Sequence, residues 1–264
     1  MKLAISNIAW KKEYDDKIFS YLADSGYSGL EIAPTRLIPG NPYVELDLAK
    51  QFCRTIKDRY GLTICSMQSI FYGRSERLFG HSEERMVLLA HGKKAVDFAA
   101  GISCPNIVFG APRNRVIDNE DQYHVAVDFF YQLGEYARLR DTVVAIEANP
   151  AIYKTNFINE TEQAYQLAKD VGSSGFMVNL DLGTVIYNRE EPDRVFANAN
   201  DINHIHISEP YLAPIKERTI HKTLFEKMKR EGYTGYLSVE MNDPCDLGTV
   251  KKTLDYIRGV FNAD

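Results

Sequence analysis

Eight short apolar runs recur along the chain, and a longer amphipathic segment follows each of them. The chain has 264 residues, so eight repeats average about 33 residues, a length typical of one strand followed by one helix. Short apolar runs separated in this way predict strands that pair in parallel. The runs are Leu3–Ala9, Gly29–Ala33, Leu62–Gln68, Asn106–Phe109, Val143–Ala148, Phe176–Leu182, Ile202–Ser208 and Tyr236–Met241.

Helical periodicity marks the segments between the runs. Four of these segments predict helices, over Ser82–Ala100, Asp121–Leu139, Ala164–Val171 and Thr223–Arg230. No G-x-G-x-x-G signature follows the first run, which argues against an open dinucleotide-binding sheet. Eight strand–helix units therefore predict a single (β/α)8 TIM barrel, with one domain spanning residues 1–264.

The charge balance and the apolar content exclude some classes of function. The chain carries 31 Lys and Arg against 36 Asp and Glu, a formal net charge of −5, which disfavours nucleic-acid binding by general electrostatics. No run approaches about 18 consecutive apolar residues, so we expect no membrane span, and the first run is too short for a signal peptide. The four cysteines form no C-x-x-C pair, which suits reduced thiols in a cytoplasmic protein.

Acidic and histidine side chains lie in four successive runs. Glu147, Asp181 and Glu240 fall at the ends of the fifth, sixth and eighth runs, and His206 lies in the seventh. Their separations are 34, 25 and 34 positions (181 − 147, 206 − 181 and 240 − 206), about one strand–helix unit each. Strand alternation places the large apolar side chains of these runs on one face and the four polar residues on the other. We therefore expect all four at the barrel axis near the C-terminal rim, where active sites of this fold lie.

Three carboxylates and an imidazole gathered in this way would repel one another and resist the loss of water. A divalent cation resolves both problems, and the donor set suits manganese as the first choice, or magnesium, cobalt or zinc. Taken singly, Glu147 or Glu240 would be a surface acid, His206 a core residue and Asp181 a helix cap. The four together predict a site for one divalent ion. His204 shares the face of His206 one layer deeper and is interpreted as a buried structural residue.

Other residues fall near the predicted rim, where they would contact a substrate. Trp10 follows the first run and either stacks on a sugar face or packs in the core. Arg113 and Arg115 follow the fourth run and either grip a phosphate or carboxylate or remain exposed loop residues. His221 precedes the helix Thr223–Arg230 and either contacts substrate or begins that helix. Inward positions at strand ends include Gln68 and Asn149, with Glu31, Ser208 and Asn242. The predicted substrate-binding set is Trp10, Gln68, Arg113, Arg115, Asn149 and His221.

At these residues the sequence resembles the xylose-isomerase-like barrels, which include ketose 3-epimerases, hydroxypyruvate isomerases, inosose dehydratases and the endonuclease IV type. The resemblance runs over essentially the whole chain and is closest to sugar phosphate isomerase/epimerases. It implies that Glu147, Asp181, His206 and Glu240 hold the metal and that Glu147 and Glu240 also move protons. The segments that carry it are Gly29–Ile32, Val108–Arg115, Ile146–Pro150, Asn179–Asp181, His204–Pro210 and Ser238–Met241.

Two positions depart from the ketose epimerases that the resemblance suggests. Those epimerases carry a histidine three residues after the aspartate, where this chain has Thr184, and an arginine shortly after the strand-seven histidine, where it has Glu209–Pro214. The endonuclease branch holds three zinc ions with extra histidines on other strands and an Asp-x-His. The third and fourth runs here offer Ser66–Ser69 and Phe109–Gly110 instead, so DNA cleavage is not predicted.

The sequence thus predicts a metal-dependent isomerase or epimerase of a small sugar, ketose or sugar phosphate. The metal would polarise a substrate carbonyl, and one glutamate would remove the adjacent proton to give an enediolate while the other acts from the opposite side. Two alternatives stay open: a metal-dependent lyase of the inosose-dehydratase kind, and a barrel that binds metal and ligand without turnover. The sugar, its phosphorylation, the metal and self-association into a homo-oligomer are left open.

Overall fold

Eight parallel strands close into a barrel in the computed structural model, which describes residues 1–242 and 245–261. Each strand pairs with its neighbours in sequence, and the last strand pairs with the first. The predicted (β/α)8 TIM barrel is confirmed, although residues 262–264 of the predicted domain lie outside the described residues. The strands are β1 (Lys2–Ser6), β2 (Gly29–Ile32), β3 (Thr63–Met67), β4 (Asn106–Phe109), β5 (Val143–Glu147), β6 (Phe176–Asp181), β7 (Ile202–Ser208) and β8 (Tyr236–Glu240).

Helices connect the strands and pack on the outside of the barrel. The predicted helices agree with the structure within a few residues, except that the helix around His221 begins four residues before its predicted start at Thr223. The described α-helices are α1 (Asp15–Asp24), α2 (Pro34–Leu37), α3 (Leu46–Tyr60), α4 (Ser82–Gly101), α5 (Tyr123–Arg138), α6 (Thr161–Val171), α7 (Leu182–Asn188), α8 (Pro192–Val195), α9 (Thr219–Arg230) and α10 (Leu247–Phe261). A membrane-crossing helix is absent from this described part, because none of its helices is both long and apolar enough.

Alternation along the strands separates an apolar outer layer from a polar barrel interior, as the sequence predicts. On β7, Ile205 and Ile207 are fully buried members of the hydrophobic core, whereas His204 and His206 make polar contacts. Side chains from strands that are not neighbours meet inside the barrel. Gln68, which follows β3, donates a hydrogen bond to Ser6 of β1 at 2.5 Å. The barrel interior is therefore a network of buried polar groups, which must satisfy one another.

Strand register brings the candidate ligands to one end of the barrel. Asp181 on β6 lies opposite His206 on β7, and Glu240 on β8 lies opposite Ser208 on β7. Glu147 ends β5 opposite Asn179, two residues before the end of β6. Because the strands are parallel, their carboxyl ends share one rim, and the site is built there.

Candidate metal centre

The four predicted ligands converge at the carboxyl ends of β5 to β8. One ligand atom from each of Glu147, Asp181, His206 and Glu240 lies within 4.8 Å of all the others, a spacing suitable for a single metal ion. Nδ1 of His206 is 2.8 Å from Oε1 of Glu147 and 3.2 Å from Oε2 of Glu240. All four residues are at least nine-tenths buried, so little water is available to solvate their charges.

Neighbouring groups fix the carboxylate of Glu147. Asn149 donates from Nδ2 to Oε2 at 2.8 Å, and Asn179 donates from Nδ2 to Oε1 at 2.9 Å. Gly110 makes room for the carboxylate, because a Cβ at that position would lie 2.9 Å from Oε2. Asn149 therefore holds a candidate ligand and also lines the cavity above it.

Asp181 combines the two roles that the sequence considered for it. Its Oδ1 accepts a hydrogen bond from the backbone N–H of Thr184 at 2.6 Å, which caps helix α7. Its Oδ2 accepts a hydrogen bond from the Ser208 hydroxyl. Each carboxylate oxygen has two lone pairs, so both bonds leave acceptor capacity for a cation. The cap fixes the carboxylate in place for a ligand role.

A second polar cluster lies beneath the first, in the layer that contains His204. Oε2 of Glu31 is 3.1 Å from Nε2 of His206 and 3.0 Å from Nε2 of His204. Gln68 donates from Nε2 to the other oxygen of Glu31 at 2.9 Å. Burial alone would raise the pKa of Glu31, but the charge of His206 and the contacts of both histidines hold that pKa well below its ordinary range.

Burial and mutual repulsion set the charge of the metal-free site. Burial, with the charges of Glu147 and Glu240, raises the pKa of Asp181 to about 7. Burial acts to lower the pKa of His206, but the charges of Glu31 and Glu240 and the bond to Glu147 raise it well above its ordinary value. Without a cation, protons on His206 and in part on Asp181 therefore balance the carboxylates. A divalent cation fits this donor set, because it replaces those protons as the compensating charge.

A cavity of about 700 Å³ opens above the candidate ligands. Its lining includes Glu147, Asp181 and Glu240, and also three of the predicted substrate-binding residues, Gln68, Arg113 and Asn149. A larger cavity of about 920 Å³ lies beside α6 and α8 and contains none of the candidate ligands, so donor chemistry rather than volume identifies the site. The sequence analysis missed several lining residues outside the strands and α-helices, where periodicity gives no signal; they include Tyr72, Arg74, Tyr153 and Leu212.

The structure gives Arg115 a different place from the one the sequence suggested. It is fully buried and outside the cavity lining. Its guanidinium donates to the backbone oxygens of Gly110, Phe157 and Glu147 at 2.7, 2.9 and 2.6 Å, and to Oδ1 of Asn149 at 2.6 Å. Burial lowers the pKa of Arg115 to about 10, although the negative charge of Glu147 acts to raise it. Arg115 therefore braces the end of β5 and has no free donors for a phosphate.

Trp10 and His221 also lie outside the cavity lining. Trp10 is 1% exposed and donates from Nε1 to Asp15 at 2.8 Å, which are the contacts of a packing residue. His221 lies in the first turn of α9 rather than in a loop, and it shares the buried face of that helix with Leu224 and Met228 at helical spacing. Its Nδ1 contacts the Tyr256 hydroxyl at 2.9 Å, so its neighbours are structural.

The two positions that depart from the ketose epimerases have structural partners. The Thr184 hydroxyl donates to the backbone oxygen of Ala148 at 2.7 Å. Glu209 is buried and accepts two hydrogen bonds from the guanidinium of Arg218, each 2.6 Å long. Neither Thr184 nor Glu209 lines the cavity, whereas Leu212 in the second departing stretch does.

The family model for xylose isomerase-like TIM barrels matches residues 19–260, a range that includes all four candidate ligands. The chain belongs to this family. None of the curated proteins matches the sequence. The resemblance inferred from the sequence is thereby confirmed at the level of the family.

Solved structures of the same fold include sugar epimerases and an endonuclease. The 3-keto-D-glucoside 4-epimerase from E. coli has 18% identity and a TM-score of 0.78, with 98% of this chain and 99% of that chain covered. The D-psicose 3-epimerase with D-tagatose from Clostridium cellulolyticum H10 has 15% identity, a TM-score of 0.80 and full coverage of both chains (100% each). The AP endonuclease, family 2, from Brucella melitensis has 16% identity and a TM-score of 0.75, with 97% and 96% covered. At these identities the likeness establishes the fold alone.

Cation binding to this xylose isomerase-like barrel should release protons. Ligands must be deprotonated to bind a metal, and at pH 7 His206 is protonated and Asp181, with its pKa of about 7, is half protonated. We expect Mn²⁺ affinity to fall as the pH drops below 7, by about tenfold per pH unit for each proton displaced. Calorimetric titration in buffers of different ionisation enthalpy measures the protons released. Equal affinity at pH 6 and 8 with no proton release would contradict this charge assignment.

Proposed function

We propose that the protein is a divalent-cation-dependent isomerase or epimerase of a small sugar, ketose or sugar phosphate. One observation carries the proposal: two buried carboxylates, Glu147 and Glu240, flank Nδ1 of His206 at the floor of a cavity of about 700 Å³. Glu147, Asp181, His206 and Glu240 would hold the cation. When bound, the cation would supply Lewis acidity that polarises a substrate carbonyl and makes the adjacent C–H more acidic.

The two glutamates have different surroundings, which suits two different roles. Glu147 contacts Asn149, Asn179 and His206. Burial acts to raise the pKa of Glu147, but the hydrogen bond and the charge of His206 outweigh burial, so the pKa is lowered. The only ion pair of the Glu240 carboxylate within the described residues is with His206, and burial raises the pKa of Glu240. Groups whose environments push their pKa values apart are suited to act as a base and an acid. Glu240, with the higher proton affinity, is the better candidate to remove a proton from carbon.

The reaction then requires only proton movements. One glutamate removes the proton next to the substrate carbonyl, and the resulting enediolate is reprotonated. Return of the proton to the opposite face of the same carbon gives an epimer, and return to the former carbonyl carbon gives an aldose–ketose isomer. The E. coli relative supports this chemistry by analogy, because its name places the 4-epimerisation beside a 3-keto group.

Glutamine substitutions test the roles of Glu147 and Glu240. Glutamine keeps the shape and an oxygen for the cation but cannot act as a base, so each variant should lose about 10²–10⁴-fold in turnover with little loss of folding. The measurement is deuterium incorporation in heavy water, next to the carbonyl of whichever ketose or ketose phosphate the wild type exchanges.

Glu209→Gln is the matched control, because Glu209 is a buried carboxylate that pairs with Arg218 outside the cavity. It should retain wild-type exchange. A variant that lacks only the reprotonating glutamate should still incorporate deuterium without forming product. Wild-type exchange and turnover in both Glu147→Gln and Glu240→Gln would refute the two-glutamate mechanism. Release of a 2-keto product from a polyol, with its new absorbance, would instead support the lyase alternative.

An anionic group on the substrate is supported by Arg113 at the cavity wall. Arg113 is exposed, and among the described residues its guanidinium has no ion pair or hydrogen bond, whereas its neighbour Arg74 is paired with Glu76. The loop that carries Arg113 is fixed on its C-terminal side, because Asn114 donates to the backbone oxygen of Glu76 at 2.8 Å and Arg115 is anchored in the barrel. An unpaired guanidinium on an anchored loop at the cavity wall suits a phosphate or carboxylate at the far end of the substrate.

Arg113→Gln should raise KM for a ketohexose phosphate by about tenfold, because it removes one charge-assisted hydrogen bond. The value of kcat should change far less, and KM for the unphosphorylated ketohexose should stay the same. Arg77→Gln serves as the control, because Arg77 is an exposed arginine of a neighbouring loop that does not line the cavity. Steady-state kinetics on both sugars decides the question. Equal effects of Arg113→Gln on the phosphorylated and the neutral sugar would rule out an anion contact.

A further inference from the structure

Glu31 is a fully buried acid that no step of the proposed reaction uses. It comes from β2, on the far side of the barrel from β7, and reaches Nε2 of His206 at 3.1 Å. It also lies 3.0 Å from Nε2 of His204, and its second oxygen accepts from Gln68 at 2.9 Å. A buried carboxylate placed among nitrogen atoms in this way is satisfied only if those atoms carry hydrogens that point to it.

The contact of Glu31 with His206 fixes a hydrogen on Nε2 of that ring. A carboxylate only accepts hydrogen bonds, so the ring nitrogen that faces Glu31, Nε2, is the one that must be protonated. Gln68 holds Oε1 of Glu31, and this leaves Oε2 for the histidine. The remaining ring nitrogen, Nδ1, faces Glu147 and Glu240 and carries a hydrogen toward them in the free protein; once a cation displaces that hydrogen, the lone pair of Nδ1 points to the candidate ligands.

Glu31 is itself held by a chain of contacts. The backbone N–H of Gln68 donates to the oxygen of Ile32 at 2.9 Å, and its side chain donates to Ser6 at 2.5 Å as well as to Glu31. The His204 ring stands edge-on to the His206 ring, with the ring centres 5.4 Å apart, and this restricts the rotation of His206. The imidazole therefore has a fixed orientation before any cation arrives.

We propose that Glu31 is a positioning residue that keeps the hydrogen on Nε2 of His206 when Nδ1 binds a divalent cation, and thereby raises the affinity of the site for that cation. The inference rests on the proposed function only in taking Nδ1 of His206 as a ligand. Histidine ligands commonly donate their other ring N–H to a carboxylate, which orients the ring and makes it a stronger donor to the metal. Here that carboxylate comes from the opposite wall of the barrel.

A second cation bound by Glu31, His204 and His206 is the competing interpretation, because these three residues also group closely enough for one. The contacts argue against it. Nε2 of His206 already makes a hydrogen-bond contact of 3.1 Å with Oε2 of Glu31, although Nε2 of His204, 3.0 Å from the same oxygen, has no hydrogen-bond partner among the described residues. Neither Glu31 nor His204 lines the cavity, whereas Glu147, Asp181 and Glu240 do, so a cation that enters from the cavity meets those three carboxylates first.

Titration with Mn²⁺ or Co²⁺ alone tests the inference without any substrate. Glu31→Leu removes the acceptor and should lower cation affinity by about 10–100-fold at pH 8. Glu31→Gln keeps an oxygen acceptor and should lose less than Glu31→Leu, which makes it the informative variant if leucine prevents folding. Asn106→Leu is the control: Asn106 is a buried barrel residue that donates to Ser66 at 2.9 Å and contacts no candidate ligand. It should lower stability and leave affinity unchanged.

The outcomes separate this inference from the proposed function. A wild type that binds no cation would refute the proposed function. A wild type that binds one cation, with Glu31→Leu and Glu31→Gln binding equally well, would refute the role of Glu31 alone. An equal loss in Asn106→Leu, or two cations per chain in the wild type, would also overturn it.

Nitrogen NMR of the histidine rings gives a readout that a purely structural role would not move. In the Zn²⁺-loaded wild type, His206 should show a proton on Nε2 that is protected from exchange with water, and Nδ1 should show the shift of a metal-bound nitrogen. In Glu31→Leu, the Nε2 proton should lose its hydrogen-bonded shift. A Zn²⁺-loaded wild type in which Nε2 is the metal-bound nitrogen and the proton is on Nδ1 would overturn the inference.

Discussion

The rest of the site depends on the placing of three carboxylates around one imidazole in a volume with little water. Buried charges of one sign are costly, and this cluster is tolerable only with compensating positive charge. Protons on His206 and Asp181 supply that compensation in the free protein, and a divalent cation is the compensating charge that we propose for the working state. The same electrostatic demand explains why neighbouring donors surround Glu147 and why Asp181 also caps α7.

The barrel fold brings these four side chains together from the pattern of the strands. Parallel register places the carboxyl ends of β5 to β8 at one rim, and strand alternation directs their polar residues to the axis. The layer beneath is made by residues that meet across the barrel, such as Glu31 with His206 and Gln68 with Ser6. The residues at the rim would then bind the cation and move protons, while the residues of the layer beneath fix the orientation of the rim side chains.

The barrel and the four candidate ligands could be predicted because both depend on local periodicity and strand parity. The contact of Glu31 with His206 could not, because β2 and β7 are not neighbours and no sequence spacing encodes their approach. The placement of loop side chains also could not be predicted from the strand and helix periodicity. Arg115 turns inward to bind backbone oxygens, while Arg113, two residues earlier, remains exposed at the cavity. His221 lies in the first turn of α9, which agrees with the alternative that it begins this helix, because α9 begins four residues earlier than its apolar pattern suggested.

A crystal structure grown with Mn²⁺ tests the central claim most directly, because anomalous scattering locates the ion without reference to activity. The account predicts a single anomalous peak at the rim, within coordination distance of oxygens of Glu147, Asp181 and Glu240 and of a ring nitrogen of His206. It also predicts that this nitrogen is Nδ1, with Nε2 still in contact with Glu31. No peak at these four residues, or several peaks held by other side chains, would contradict the account.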